Sequence, residues 1–487
     1  MGVLRARYDP LIALDRDELS FEAERGQELA DREAFADFLS FAVDFELHRS
    51  GANVARRERR GQAGSARCLE DVVLPACRGP SPGNVLCSTI RSFGRTMGPR
   101  LNSFDHTLTF RPRIALADES MRPTRAEIDL DAIAHNLRVV TAQAAPARVL
   151  AVVKADAYGH GVVPVAARLE HEGVSGFGVA LAEEGLELRE AGIRAPILVL
   201  NGLYGRAHAD VLDAGLTPVV YDLGHIEAFD RALPERPYRV HLKVDTGMAR
   251  LGVPLAKLDA FLEALARYPR CIVAGLMTHL ACADTDDEAT TEQLRLFEIV
   301  RGKVRAAGHA PTTLHVANTA ATLRRRDARF DMVRPGGALY GAVSPREAFP
   351  MFRSALRLRT EIISIRDLDA GEYVGYDHTF RATRATRIAT VPVGYGDGLL
   401  RDLSNGGEML VRAMPCPIAG RVSMDLTMLD VTDVPGCALG DEVVMLGAQR
   451  FEAREASLTS MDVAERAGTI AYDVLTSISR RVPRVYL

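Results

Sequence analysis

The 487-residue chain has only four lysines, Lys154, Lys243, Lys257 and Lys303, so 56 of its 60 basic side chains are arginine. A coding bias toward arginine accounts for the proportion. Under that bias a lysine at a key position points to what arginine cannot do, which is to lose its proton and form an imine. Lys154 closes an apolar run in AVVKADAYGHG, where desolvation lowers an amine's pKa and frees its lone pair. The plain alternative is a strand-end lysine that snorkels to water. In RPGGALYG, the backbone around Gly336, Gly337 and Gly341, with Thr319 on the preceding connection, suits a phosphate or forms a glycine turn between domains. An imine-forming lysine with a phosphate site on one face is the signature of pyridoxal 5'-phosphate (PLP).

Three further residues bear on that chemistry. The guanidinium of Arg334 stays protonated, so beside the ring it would hydrogen-bond the pyridine nitrogen and leave that nitrogen without a proton. A weaker electron sink of this kind suits α-proton exchange better than transamination; the alternative is a surface arginine among many. His279 in LMTHLACAD is either a satisfied core histidine or part of the site, and Arg250 in KVDTGMARLG holds a substrate carboxylate or pairs with a loop acid. Asp245 and Thr246 read as turn and cap residues.

Positioning such groups requires a scaffold, and the apolar periodicity supplies one. From Val149 onward the runs VLAVVK, GFGVAL, APILVL, TPVVY, RVHLKVD, CIVAGLMTH, TTLHVAN and DMVRPGG alternate with helical patterns. Eight such repeats predict a (β/α)₈ TIM barrel, an α/β fold. The residues that interrupt the runs, Lys154, Asp245 through Arg250, His279, Asn318 with Thr319, and Arg334 through Gly337, then fall at strand C-terminal ends, the face on which barrels build active sites. Ahead of the runs, Ile128, Leu130, Ile133, Leu137 and Val140 are spaced for a helix. After about Tyr340 the texture turns to short strand-like runs with glycine turns, predicting a mainly-β second domain with one late helix around Met461 to Ala467. The expected division is an extension over 1–121, a barrel over 122–345 and a β-rich domain over 346–487. The extension reads as loop or disorder, with one helix around Arg32 to Phe45.

Composition narrows the class. A net charge of -4 with 25% charged residues argues against a nucleic-acid binder. No apolar stretch reaches membrane-spanning length, and the scattered charges of MGVLRARYDPLIALDRDELS leave no signal-peptide core, so the expected location is the cytosol and no membrane partner is expected. Seven cysteines without a CxxC pair, Cys68, Cys77, Cys87, Cys271, Cys282, Cys416 and Cys437, suggest neither disulfides nor a zinc site, and no metal is expected.

Taken in order, AVVKADAYGHG, HLKVDTGMARLG, MTHLACAD, HVANTAAT, MVRPGGALYG, VGYDHTF, VPVGYGDG, GRVSMDLTMLDV and IAYDVLTSISRRVPRVY closely resemble the alanine racemase family from about Thr124 to Leu487. The resemblance implies PLP-dependent interconversion of L-alanine and D-alanine, supply of D-alanine for peptidoglycan, and a homodimer whose active site is completed across subunits. It makes Lys154 the Schiff-base lysine and the base for the D enantiomer, and Tyr376 the opposite base, reaching the partner's barrel. Arg250 would contact cofactor and substrate carboxylate, and the Met424 backbone N–H would meet that carboxylate. Tyr158, Asn318, Thr319, Gly336 and Tyr472 would hold the cofactor around its phosphate, with Arg334 at the pyridine nitrogen. His279 would link Arg334 toward Tyr376, Tyr395 would line the entrance, and Lys243 matches a lysine that can be carbamylated to brace Arg250. The family pattern lacks the first 120 or so residues, and Met121 is an expected start. The competing readings are a broader-specificity amino-acid racemase, a PLP decarboxylase of related fold, and a non-catalytic PLP-binding protein.

Overall fold

The computed structural model describes residues 122–343 and 350–487. The expected 1–121 extension and its helix around Arg32 to Phe45 lie outside the described residues.

Each of the eight apolar runs forms a strand. After β1 (Arg125–Ile128), the barrel strands are β2 (Arg148–Val152), β3 (Gly176–Val179), β4 (Ile197–Val199), β5 (Leu216–Val220), β6 (Tyr238–Asp245), β7 (Cys271–Met277), β8 (Thr313–His315) and β9 (Met332–Val333). They are parallel neighbours in the order β9-β2-β3-β4-β5-β6-β7-β8. The ring closes between β8 and β9 through Asp331 N–H to the Leu314 carbonyl, 3.1 Å, and Arg334 N–H to the Ala317 carbonyl, 2.9 Å. Strands covered on both faces need apolar residues at every position, which is why these runs are continuous and not alternating. Leu150, Leu198, Val219, Met277 and Met332 pack as a cluster of their own inside the ring, distinct from the larger core between strands and helices.

The predicted helix near the start divides in two. Arg125–Ile128 is extended, with Ala126 and Ile128 buried and their neighbours not, and helix Leu130–Ala144 begins only after Asp129 caps it, accepting from Ala132 N–H at 2.8 Å. Ile128, counted above in the helical spacing, therefore belongs to a strand: its period of two and the Asp129 cap override the apparent 3.6-residue pattern. That strand joins the second domain, pairing antiparallel with Leu356–Glu361 and parallel with Arg484–Tyr486.

The second domain is mainly β. One sheet of seven strands runs Met414–Pro417, Glu408–Val411, Glu442–Phe451, Leu356–Glu361, β1, Arg484–Tyr486, with Arg454–Leu458 on Glu442–Phe451. A second sheet comprises Ser364–Leu368, Thr386–Val391 and Thr427–Asp430. The late helix is Ser460–Ala467, opened by a reciprocal Thr459–Asp462 capping box and closed by Gly468 at φ 68°. A further helix, Ala471–Ser477, buries Val474 and Leu475 and presents Tyr472.

That helix lies against the loop after β2. Gly159 sits at φ 80°, and a Cβ there would come within 2.3 Å of the Leu475 carbonyl oxygen. Gly159→Ala should therefore destabilise the fold by more than about 2 kcal/mol, through both the clash and the left-handed backbone. Calorimetry reads the drop in Tm; an unchanged Tm would mean that the contact is not maintained.

Candidate active site

The C-terminal ends of the strands converge on a cationic mouth. Lys154 follows β2 and begins a turn that is left-handed: Ala155, Asp156, Ala157 and Tyr158 all have φ of 53° or 54°. Left-handed turns of non-glycine residues cost roughly 1–2 kcal/mol per residue, so side chains must hold this one. Glu184 accepts from Ala155 N–H at 2.6 Å, and Asp156 accepts from Val162 N–H at 2.7 Å. His160, fully buried and 4.6 Å from the Tyr340 ring, sets Nδ1 at 3.0 Å from both the Ala157 and the Tyr158 carbonyl oxygens. Arg484 Nε and Nη2 donate to the Gly159 carbonyl at 3.1 Å.

Around Lys154 stand Lys243 on β6, Arg250 on the following loop, His279 after β7 and Arg334 after β9. Partial desolvation, then the Arg250 charge, lowers the Lys154 pKa. Lys243 is 5% exposed, and burial together with Arg334 and Arg250 brings it down to about 8. Arg334 is 4% exposed, and burial pulls it down to about 9, so it remains protonated at neutral pH. Its Nη1 donates to the His315 carbonyl at 2.6 Å and to His315 Nδ1 at 3.0 Å. Its Nη2 donates to the carbonyls of Thr278 and Val316, at 2.8 and 3.0 Å, and faces His279 Nδ1 at 3.4 Å. Nε is left without a partner among the described residues. His279 is held from behind by Gln293, whose Nε2 donates to the His279 carbonyl at 3.1 Å.

A second feature lies beside the cations. The Tyr158 ring is 4.9 Å from Tyr340 and 5.6 Å from Tyr472. A Cβ on Gly336 would meet the Tyr158 hydroxyl at 2.4 Å, and one on Gly337 would meet the Tyr472 hydroxyl at 2.6 Å. Both phenols thus point at the glycine pair, and neither hydroxyl makes a hydrogen bond among the described residues. Thr319 Oγ1 stands at 3.0 Å from Gly336 N–H, while Asn318 caps the short helix Thr319–Arg324 through Ala321 N–H, 3.0 Å. A bare glycine backbone, a hydroxyl and two free phenols form a cradle fit for a phosphate, and the orphan Nε–H of Arg334 is a donor fit for a pyridine nitrogen. The residues present therefore fit PLP.

Lys154, Lys243, Arg250, His279 and Arg334 form one cluster, and Tyr158, Thr319, Gly336 and Tyr472 form the adjoining cradle. Tyr376, Tyr395 and Met424 make no hydrogen bond to either. Tyr376 is 69% exposed on a one-turn helix, Tyr376–His378. Tyr395 and Met424 are locked to each other's loops: Tyr395 N–H donates to the Ser423 carbonyl at 3.0 Å and Gly396 N–H to the Met424 carbonyl at 2.9 Å. The Met424 N–H itself has no hydrogen-bond partner among the described residues. Asp245 is the turn residue expected, its Oδ1 accepting from Gly247 and Met248 N–H, both at 2.9 Å. Reading the sequence passed over Glu184, His160, Gln293 and His315. Of these only His315, a polar interruption of the TTLHVAN run, left a signal comparable to that of His279. Among the described residues no group of His, Cys, Asp and Glu is arranged to hold a metal, and the four cysteines there are free thiols.

Comparison with known proteins places this geometry. The alanine racemase N-terminal domain model matches residues 128–345, and the C-terminal domain model matches residues 355–486. An alanine racemase of Sorangium cellulosum is 50% identical over 376 residues, covering 75% of this chain and 99% of that protein. The solved alanine racemase of Streptomyces lavendulae, a D-cycloserine producer, superposes with a TM-score of 0.70 at 34% identity over 76% of this chain and 98% of that one. That of Bartonella henselae, solved with covalently bound pyridoxal phosphate, gives 0.69 at 30% identity over 75% and 99%.

Four histidines make the fold acid-sensitive. Burial brings His160 and His241 down to about 4 and His279 to about 3, and holds His315 well below its usual value; Arg334 is the next cause for the last three. All are neutral when folded, whereas the unfolded chain protonates them near about pH 6.5. Between about pH 4 and 6.5 the unfolded chain binds more protons, so stability falls as the pH drops through that window. Thermal denaturation followed by circular dichroism should show Tm declining progressively below about pH 6.5; a Tm constant down to about pH 4.5 would contradict neutral burial of these rings.

Proposed function

The chain belongs to the alanine racemase family, and from that premise we propose that Lys154 and Tyr376 of the partner subunit exchange the α-proton of alanine from opposite faces. The protein is an isomerase that interconverts L-alanine and D-alanine with PLP as its cofactor. The observation that carries the residue assignment is the convergence, at one barrel mouth, of an amine of lowered pKa, a buried guanidinium with an unpartnered Nε–H, and two unpartnered phenols over a glycine pair.

Lys154 would hold PLP as an imine between turnovers, and with that imine passed to the substrate amine PLP would supply the electron sink that acidifies the α-proton while the Lys154 amine is free to act. The protein's own groups do the rest. Lys154 exchanges the proton on the D side and Tyr376 on the L side; one base alone would have to swing round the substrate, whereas two serve both faces. His279 Nδ1 faces a guanidinium, which only donates, so its own proton lies on Nε2. A donor there would ease loss of the Tyr376 proton by hydrogen-bonding the phenolate. Arg250 and the Met424 N–H hold the substrate carboxylate, and Tyr395 lines the entrance. Tyr158, Thr319, Gly336 and Tyr472 hold the phosphate with Asn318 fixing the Thr319 turn, and Arg334 Nε–H meets the pyridine nitrogen. Lys243, with a pKa of about 8, retains the neutral fraction that carbamylation requires, and the carbamate would brace Arg250.

The same reading assigns the chain to a homodimer, since Tyr376, Tyr395 and Met424 face outward in one copy. It treats 1–121 as an addition to a two-domain enzyme of 122–345 and 346–487. It places the enzyme in the cytoplasm as a supplier of D-alanine for peptidoglycan.

Purified protein with added PLP should racemise alanine in both directions. Lys154→Ala should abolish both, and Tyr376→Phe should retain PLP yet lose at least about 100-fold in rate. Comparable turnover of serine, lysine or arginine in a substrate panel would replace alanine with a broader substrate class. Co-expressing the two inactive variants tests the shared site: random pairing leaves about a quarter of sites with both bases, so about a quarter of wild-type activity should return. No recovery would place both bases in one chain.

A further inference from the structure

Behind Arg334 lies a second histidine that the mechanism does not use. His315 Nε2 is 2.8 Å from Nδ1 of His241, a residue of β6 on the far side of His315 from the guanidinium. The rings meet edge to face, centroids 4.9 Å apart. Arg334, Arg239 and Arg148 are the charged groups around His241.

Proton positions in this row follow from donor arithmetic. A guanidinium has no lone pair to offer, so His315 Nδ1 must accept from Arg334 Nη1. A neutral imidazole that accepts at Nδ1 carries its proton on Nε2, so His315 donates to His241. His241 Nδ1 must then be the acceptor, and its own proton also lies on Nε2. Protonating either ring would set N–H against N–H. Both contacts of His315 thus favour one tautomer: the guanidinium calls for an acceptor at Nδ1, and His241 takes the proton on Nε2.

The scaffold makes room for this arrangement. The β6–β7 register shifts between Val240 and His241, so that Val240 faces Val273 but His241 faces Gly275. Bulges are uncommon between parallel strands and re-aim side chains where they occur. Gly275 is also the residue that permits the ring: a Cβ there would fall within 2.5 Å of His241 Nδ1.

We propose that His241 is a positioning residue that fixes the His315 tautomer, so that His315 accepts from Arg334 and the guanidinium holds its Nε–H toward the cofactor ring. Without the Nδ1 acceptor the buried Nε2–H of His315 loses its partner, so only the guanidinium contact opposes the Nδ1–H tautomer, which would turn a donor against Arg334. The inference rests on the assignment of Arg334 to the ring, but its tautomers can be measured independently of that assignment.

The experiment is a long-range ¹H–¹⁵N correlation on full-length protein carrying ¹⁵N-histidine, with and without PLP, paired with two variants. In the wild type, both rings should show the Nε2–H pattern from about pH 6 to about pH 9 in either state. His241→Asn presents an amide oxygen near the position of Nδ1 and should keep the His315 pattern, PLP affinity and kcat within about threefold of wild type. His241→Leu should shift His315 toward the other tautomer and lower PLP affinity and kcat by on the order of tenfold, as loss of an orienting partner does, with KM for alanine little changed. An Nδ1–H signal from either wild-type ring overturns the proposal. So does a leucine variant with wild-type PLP affinity and kcat, or an asparagine variant that folds with wild-type Tm but loses as much as leucine. Failure of the underlying site reading has a different mark: Arg334→Leu protein would bind PLP with its visible spectrum unchanged.

Discussion

A guanidinium cannot shed its proton to escape burial, so Arg334 must be met by acceptors wherever the fold places it. The barrel meets this demand by ending strands early. At the last ladder pair of β7 and β8, Met277 with His315, and just beyond it, the carbonyls of His315, Thr278 and Val316 accept from Nη1 and Nη2. Imidazole lone pairs supply the rest. Consuming both terminal nitrogens in this way leaves Nε as the one donor without a partner among the described residues. Burial, and after it this same charge, depresses Lys243 and the three histidines nearest Arg334, so neutral imidazoles stand beside a permanent cation.

The other costly element is the left-handed turn after Lys154. Four residues in that conformation forgo several kcal/mol by order of magnitude, and no single contact offsets such a sum. The compensation is spread over both parts of the chain: Glu184 from the next βα connection, Asp156 and His160 from the turn itself, and Arg484 from the closing strand of the second domain. Lys154 and Tyr158 thus stand at the two ends of a turn whose conformation is held from outside it.

The barrel was legible because strands buried on both faces announce themselves as unbroken apolar runs, and the site was legible where a polar residue broke a run at its end, as at Lys154, His279 and Arg334. Separated motifs identified Tyr376, which physical reading alone would not have chosen from among the tyrosines. Other features leave no such trace. Ile128 fits a helical spacing and a strand alternation equally well, and only pairing with Leu356–Glu361 decides between them. Helix Ala471–Ser477 is short, without a side-chain N-cap, and stabilised by what Val474 and Leu475 pack against. Glu184 and Gln293 act by bonding backbone groups distant in sequence, and the left-handed turn arises from residues of ordinary type whose conformation is imposed by partners elsewhere.

The outward-facing residues show why a site divided between copies need not be loose. Tyr376 is exposed yet not free: Gly375 precedes it at φ 73°, Asp377 is paired with Arg421 at 2.6 Å, and His378 stacks on Tyr373 at 4.6 Å. Its backbone is thus set before any partner arrives. Tyr395 and Met424 are cross-bonded through Ser423 and Gly396, and Asp397, 1% exposed, ties the same loop to Arg122 and Arg481. In the proposed homodimer, association of two such surfaces would have little chain entropy left to remove, and its main effect at the mouth would be to exclude water. Excluding water further disfavours a charged amine at Lys154 and strengthens every bond to the substrate carboxylate. On the proposed reading, a tyrosine delivered on a rigid turn into a mouth lined by Lys154, Arg250 and His279 would differ from the same tyrosine in solvent through its neighbours alone.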